Sequence, residues 1–101
     1  MYLVHVLLQP SLDGVLLPSG TADDVAACAR DVAGLEHVVV HADTRPHPVI
    51  GLYVRAATLE AAEQIALVVW RCALNDLHWL RAWTLLRAEV PLIPIDADWP
   101  L

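Results

Sequence analysis

Alternation of apolar and polar positions along the chain marks four strand-like runs, at residues 2 to 8, 35 to 42, 49 to 56 and 83 to 90. Between them lie two stretches with the i, i+3, i+4 spacing of amphipathic helices, so the element order reads β-α-β-β-α-β. The first run sets Tyr2, Val4, Val6 and Leu8 against Leu3, His5 and Leu7, apolar on both sides as a central strand requires. In the runs at 35 to 42 and 49 to 56, β-branched residues dominate. They flank Asp43-Thr44-Arg45-Pro46-His47-Pro48, whose prolines forbid a continuous strand and favour a hairpin. A turn centred on Arg45 sets His37 opposite Tyr53, Val39 opposite Gly51 and His41 opposite Val49, with a shallow depression at the glycine. The fourth run divides into Thr84, Leu86, Ala88, Val90 and Trp83, Leu85, Arg87, Glu89.

The helices carry their own punctuation. Thr21 stands where an N-cap is wanted, Asp23 and Asp24 complement the helix dipole, and Val25, Ala29 and Val32 repeat at helical spacing until Gly34, which predicts a helix over residues 22 to 33. Thr58 caps the second helix, and Ala62, Ile65, Val69 and Cys72 form its stripe up to Asn75, with one further turn over Leu77 to Leu80. Gln9 to Gly20, with two prolines and two glycines, reads as a loop, in which Val15 to Leu17 could add a short hairpin or pack on a neighbour. The chain therefore divides into a domain at 1 to 90 and a Pro-rich apolar arm at 91 to 101. The arm's three prolines bar a helix or a central strand. Its Leu92, Ile93, Ile95, Trp99 and Leu101 call for burial, across the sheet or on a second subunit.

Right-handed crossovers put both helices on one side of a four-stranded antiparallel sheet of order 4-1-3-2. The pattern resembles the ferredoxin-like superfold, an α+β sandwich. Its helix-facing set would be Val4, Val6, Leu8, Val38, Val40, Ile50, Leu52, Val54, Leu86 and Ala88, every one apolar. The opposite face would carry Leu3, His5, Leu7, His37, Val39, His41, Val49, Tyr53, Arg55, Trp83, Leu85, Arg87 and Glu89, a mixture too apolar for open water. Within the superfold, an exposed sheet of this content looks like that of the dimeric α+β barrels, in which two sheets pack face to face around a pocket. That resemblance implies a homodimer and admits cofactor-independent oxygenases, isomerases, polyketide cyclases and regulatory ligand-binding domains, among which a fold does not choose. The regulatory domains place a Gly-rich turn directly after the first strand; Gln9-Pro10-Ser11-Leu12-Asp13-Gly14 is longer.

Composition sharpens the picture. Of 101 residues, 57% are hydrophobic and the mean hydropathy is +0.52, more apolar surface than a small domain hides alone. The surplus points to an oligomer interface or an apolar ligand site. The longest apolar run, Ile65 to Trp70, is far short of the roughly 20 residues that cross a bilayer, and the start Met-Tyr-Leu-Val-His lacks the basic and small-residue features of a signal peptide. The expected setting is the cytoplasm. Absence of Lys and Phe beside abundant Ala, Val, Leu, Arg and Asp suggests a GC-rich bacterial genome. A net charge of −6 with six scattered Arg argues against a phosphate-tracking surface and makes nucleic acid a poor partner. Tyr53 and Trp83 could imitate a base-stacking platform, but no basic groove accompanies them. Cys28 and Cys72 lie near the apolar stripes of the two helices and read as core thiols, kept reduced in a cytosolic chain although a bridge between the helices is conceivable.

Candidate chemistry gathers on the mixed face. His5, His37, His41, Tyr53, Arg55, Trp83 and Arg87 are the ligand-binding or interface candidates. His5 or His37 could act as a base on a bound carbonyl or phenol, with Tyr53 or Arg55 polarising an oxygen and Trp83 stacking on a ring. The plainer role of these side chains is pairing across a dimer interface, since no placed nucleophile or oxyanion device accompanies them. His37 and His41, four apart on a strand, stand about 13 Å apart and cannot share a metal. His41 and His47 flank the hairpin turn with Asp43 between them and could meet a surface ion; no metal or other cofactor is expected. Trp70, Trp79 and Trp99 have packing roles as core or rim, plug of the turn after the second helix, and anchor of the tail. Pro91 and Pro94 fit a packed arm better than a polyproline ligand.

Three functions follow as expectations. The first is a small homodimeric binding or accessory protein holding a hydrophobic small molecule or partner segment on the open sheet. The second is a cofactor-independent monooxygenase, isomerase or cyclase, and the third a structural subunit docking through an edge strand or the tail.

Overall fold

The computed structural model of the chain describes residues 1–9, 16–42 and 47–90. In chain order they form β1 (Tyr2–Gln9), α1 (Thr21–Cys28), β2 (Leu35–His41), β3 (Val49–Val54), α2 (Leu59–Asp76), a 3-10 turn (His78–Ala82) and β4 (Thr84–Glu89). The strands make one antiparallel sheet in the spatial order β2-β3-β1-β4, the expected 4-1-3-2 arrangement counted from the other edge. Both helices lie on one side of it, and the domain is a small α+β sandwich compatible with the ferredoxin-like arrangement. The turn residues 43 to 46, the loop residues 10 to 15 and the arm at 91 to 101 lie outside the described residues, and with them the expected turn centre at Arg45 and the packing of the arm.

The core is the one the alternation predicts over three strands. Val4, Val6 and Leu8 of β1, Val38 of β2, and Ile50, Leu52 and Val54 of β3 are buried beneath Val25 and Ala29 of the first crossover and Ala62, Ala66, Val69, Trp70 and Ala73 of α2. The alanines on α2 let that helix lie close to the sheet, and Trp70 fills the remaining space. Ile65 and Cys72, expected on the buried stripe, sit half-buried at its margin. Thr58 caps α2 as its sequence suggests, its hydroxyl accepting from the Ala61 amide at 3.1 Å.

Helix α1 departs from expectation at both ends. Gly20, in the left-handed region at φ 87°, occupies the N-cap position, while Thr21 is buried and donates its hydroxyl hydrogen bond to the Pro18 carbonyl. The helix stops at Cys28, five residues before the expected end at 33. From Ala29 the backbone continues in separate turns, Val32 amide bonding Ala29 carbonyl at 2.9 Å. Those turns still bring Ala29 and Val32 onto the core, so the apolar spacing was real although it does not belong to one continuous helix.

Strand β4 corrects the reading of its two faces. Leu7 pairs with Arg87 but Leu8 pairs with Leu85, so Leu86 is an extra residue in a bulge. One inserted residue exchanges the faces of everything before it. Leu86, expected in the core, is 43% exposed; Leu85, expected on the open face, packs against the core. Trp83 follows the same shift. It is 6% exposed, joins the core and meets Trp79 edge-on with ring centroids 6.2 Å apart. A second bulge, at Glu36 between the pairs Leu35–Val54 and His37–Tyr53, turns Leu35 toward the core.

Candidate functional site on the open sheet face

Both helices pack on one side of the sheet, and among the described residues no helix lies on the other. The register fixes its rows. Leu3, Tyr53 and His37 lie across one row; Glu89, His5, Gly51 and Val39 across the next; Arg87, Leu7, Val49 and His41 across the third. Each expected pair of the central hairpin is met: His37 with Tyr53, Val39 with Gly51 and His41 with Val49. Leu3, Leu7 and Val39 are half-buried and Val49 buried, an apolar floor rimmed by polar side chains.

At the first row the exposed His37 ring and the half-buried Tyr53 ring are 5.9 Å apart, tilted by 41°. That is the distance of an aromatic contact across neighbouring strands. The depression expected at Gly51 is filled. A Cβ placed there would come within 2.8 Å of Val39 Cγ2 and 3.5 Å of Leu3 Cδ1, so these side chains lean into the gap the glycine leaves.

His5 is the most enclosed histidine of the three, half-buried beside that gap. Burial holds its imidazole below the ordinary histidine value; His41 pushes in the same direction and Glu89, its partner on β4, opposes them. At neutral pH His5 is thus a neutral ring able both to donate and to accept a hydrogen bond.

The charged candidates are already occupied. Arg55, exposed at the end of β3, donates to Glu36 Oε1 at 3.0 Å. Arg87 meets Glu89 Oε1 at 3.1 Å, two residues along the same face of β4. Sequence reading missed Glu36 as a partner because the bulge that presents it has no local sequence signal. Trp83 does not belong to this surface, and the ring-stacking role expected of it falls away, since the bulge buries it on the other side.

Near the hairpin turn, His47 is half-buried and its Nδ1 has no hydrogen-bond partner, while His41 is exposed. No group of three or more metal-ligating side chains exists among the described residues. Cys28 and Cys72 are free and half-buried. Burial raises the Cys28 thiol above its ordinary value, and the Asp76 carboxylate beside it adds to the effect, so Cys28 stays a protonated thiol. No helix among the described residues is long and apolar enough to cross a membrane.

Comparison with protein-family models, curated proteins and solved structures returns no match to the chain.

Proposed function

We propose that the protein is a small bacterial, cytoplasmic homodimer whose open sheet faces pair and hold a hydrophobic small molecule or partner segment between them. The observation that carries this reading is the sheet face away from the helices, whose rows set half-buried Leu3, Leu7 and Val39 and buried Val49 inside a rim of polar side chains. Apolar side chains that stay partly open on one face suit a contact surface. The face measures about 19 Å by 20 Å from strand spacing and rise, about 380 Å² in plan, so a standard interface of about 800 Å² per partner would take in all of it and surface beyond it. Sheets pack about 10 Å apart and their twist makes the corners diverge, which leaves room for an apolar molecule at a corner such as that of His37 and Tyr53. The two free thiols accord with a reducing compartment.

Native mass spectrometry of the purified chain tests the reading. A dimer that retains a small molecule, released when Tyr53→Ala empties the corner, supports it; a dimer with no retained mass and no uptake of hydrophobic probes contradicts the binding role.

A second reading is favoured by one specific feature, the neutral half-buried His5 facing Glu89 across β1 and β4. The Glu89 charge favours the protonated form of His5, as a ring that takes up a proton needs. In that reading the protein is a cofactor-independent oxygenase, isomerase or cyclase, with His5 as base and His37, Tyr53 and Arg55 around the substrate. Loss of turnover in His5→Gln with ligand binding retained is its signature, and unaltered turnover contradicts it.

A further inference from the structure

We propose that the chain's own apolar arm, residues 91 to 101, seats across the open face along the row of Leu3, Tyr53 and His37, so that any other apolar guest must displace it. The inference rests on the reading of this face as a holding surface and names its occupant.

The point of departure favours that row. β4 pairs Glu89 with His5, so the chain reaches Val90 at the edge of the sheet, one residue from the level of Leu3. Leu3 and Tyr53 are direct partners and Tyr53 pairs in turn with His37, which makes the row a track from β1 to β2. Leu3 and Tyr53 are half-buried and His37 is exposed. The other side of the sheet is already taken, since α2 packs on β1, β3 and β4 there.

The arm lies outside the described residues, and its sequence carries the match. Alternate residues of an extended chain face opposite ways. Pro91, Ile93, Ile95, Ala97, Trp99 and Leu101 make one set, apolar throughout, while Asp96 and Asp98 both fall in the other. An extended segment with one apolar side is the shape that an apolar sheet face accepts. Pro91, Pro94 and Pro100 lack the N–H that a fifth strand would need, so the arm is better suited to lie over the face than to lengthen the sheet beside β4. The same prolines restrict the unseated arm and lower the entropic cost of seating it.

Length and charge agree. From β4 to β2 is three strand spacings, about 14 Å, which about four or five extended residues cover. Ile93 and Ile95 then fall within the crossing. Asp96 follows at the β2 edge, where the exposed His37 imidazole can donate a hydrogen bond to its carboxylate. The whole arm reaches about 36 Å when extended, so the crossing is well within its length. Between paired sheets the arm fills the diverging corner, and the seat and the dimer are compatible.

Nuclear Overhauser spectroscopy on the full chain tests the seat. Chains with protonated isoleucine methyls and tyrosine rings in a deuterated background should show cross-peaks from Ile93 and Ile95 to Tyr53. A mixture of chains protonated only at isoleucine with chains protonated only at tyrosine should show none, because the contact lies within one chain. The full chain carrying Ile93→Ser and Ile95→Ser should also bind the neutral dye Nile red at least about tenfold more tightly than the parent, since unseating raises the fraction of free face. Absence of the cross-peaks overturns the seat, and cross-peaks in the mixture overturn its assignment to the same chain. A parent that binds the dye as tightly as the variant overturns the displacement. Cross-peaks within one chain, with no dye uptake by the variant, uphold the seat and contradict the holding of small molecules instead.

Discussion

Val39 Cγ2 occupies the space over Gly51, lying 2.8 Å from where a Cβ of residue 51 would stand. The two residues are direct partners across β2 and β3, at the centre of the open face. A valine on a strand has little freedom at χ1, so it cannot swing away cheaply. Alanine in place of glycine in a strand normally stabilises by about 0.5–1 kcal/mol; here Gly51→Ala should instead destabilise by about 1–3 kcal/mol through overpacking. Val39→Ala should relieve the clash, so a double-mutant cycle by urea denaturation should give a combined cost smaller than the sum of the two single costs. Additive costs would mean that the contact does not exist.

Gly34 and Arg55 are locked backbone to backbone. The Arg55 amide donates to the Gly34 carbonyl at 2.7 Å, and the Arg55 carbonyl oxygen lies 2.8 Å from where a Cβ on residue 34 would be. With φ at +97°, residue 34 also sits in the left-handed region that disfavours side chains. Gly34→Ala therefore combines a conformational cost with a steric one and should destabilise by about 2 kcal/mol or more. Thermal denaturation of the variant reads this directly; a melting temperature within 1–2 °C of the parent, roughly the shift expected of a few tenths of a kcal/mol, would contradict it.

Trp83 is a core residue in this fold, and its loss should act on stability. Trp83→Ala should cost about 3–5 kcal/mol and blue-to-red shift the tryptophan emission as the Trp79 contact is lost and the site opens to water. If ligand uptake falls in Trp83→Phe while stability is unchanged, the ring faces the open side after all and the bulge at Leu86 is misplaced.

Most of the architecture is legible in the chain itself. Alternation over β1, β2 and β3 is long and regular, and the prolines around the hairpin fix its register closely enough to pair His37 with Tyr53 and His41 with Val49 from sequence alone. What escapes sequence reading is the parity of β4. In Trp83-Thr84-Leu85-Leu86 the one polar residue is Thr84, whose odd spacing from Arg87 is a weak sign of a shift, so the extra residue at Leu86 moves Trp83 from the open face to the core with little notice. The same holds at Glu36, where a bulge creates the ion pair with Arg55. Helix α1 is shorter than its apolar spacing implies, because Ala29 and Val32 keep helical spacing through turns that are no longer one helix. On the candidate face, sequence placed His5, His37, His41, Tyr53, Arg55 and Arg87; the filling of the glycine gap by Val39 depends on side-chain packing, which periodicity does not encode.

The central claim is that the open face of the sheet is a self-association surface. The most direct test is the solution mass of the full chain at pH 7.5 by light scattering after size exclusion, beside a variant in which Leu7 on the open face is replaced, Leu7→Glu. Leu7 lies between Arg87 and Val49 and contributes nothing to the buried core on the helix side. The account predicts twice the 11.1 kDa chain mass for the parent and a folded monomer for Leu7→Glu. A parent chain that elutes as a monomer, or a Leu7→Glu variant that dimerises as tightly as the parent, would contradict it.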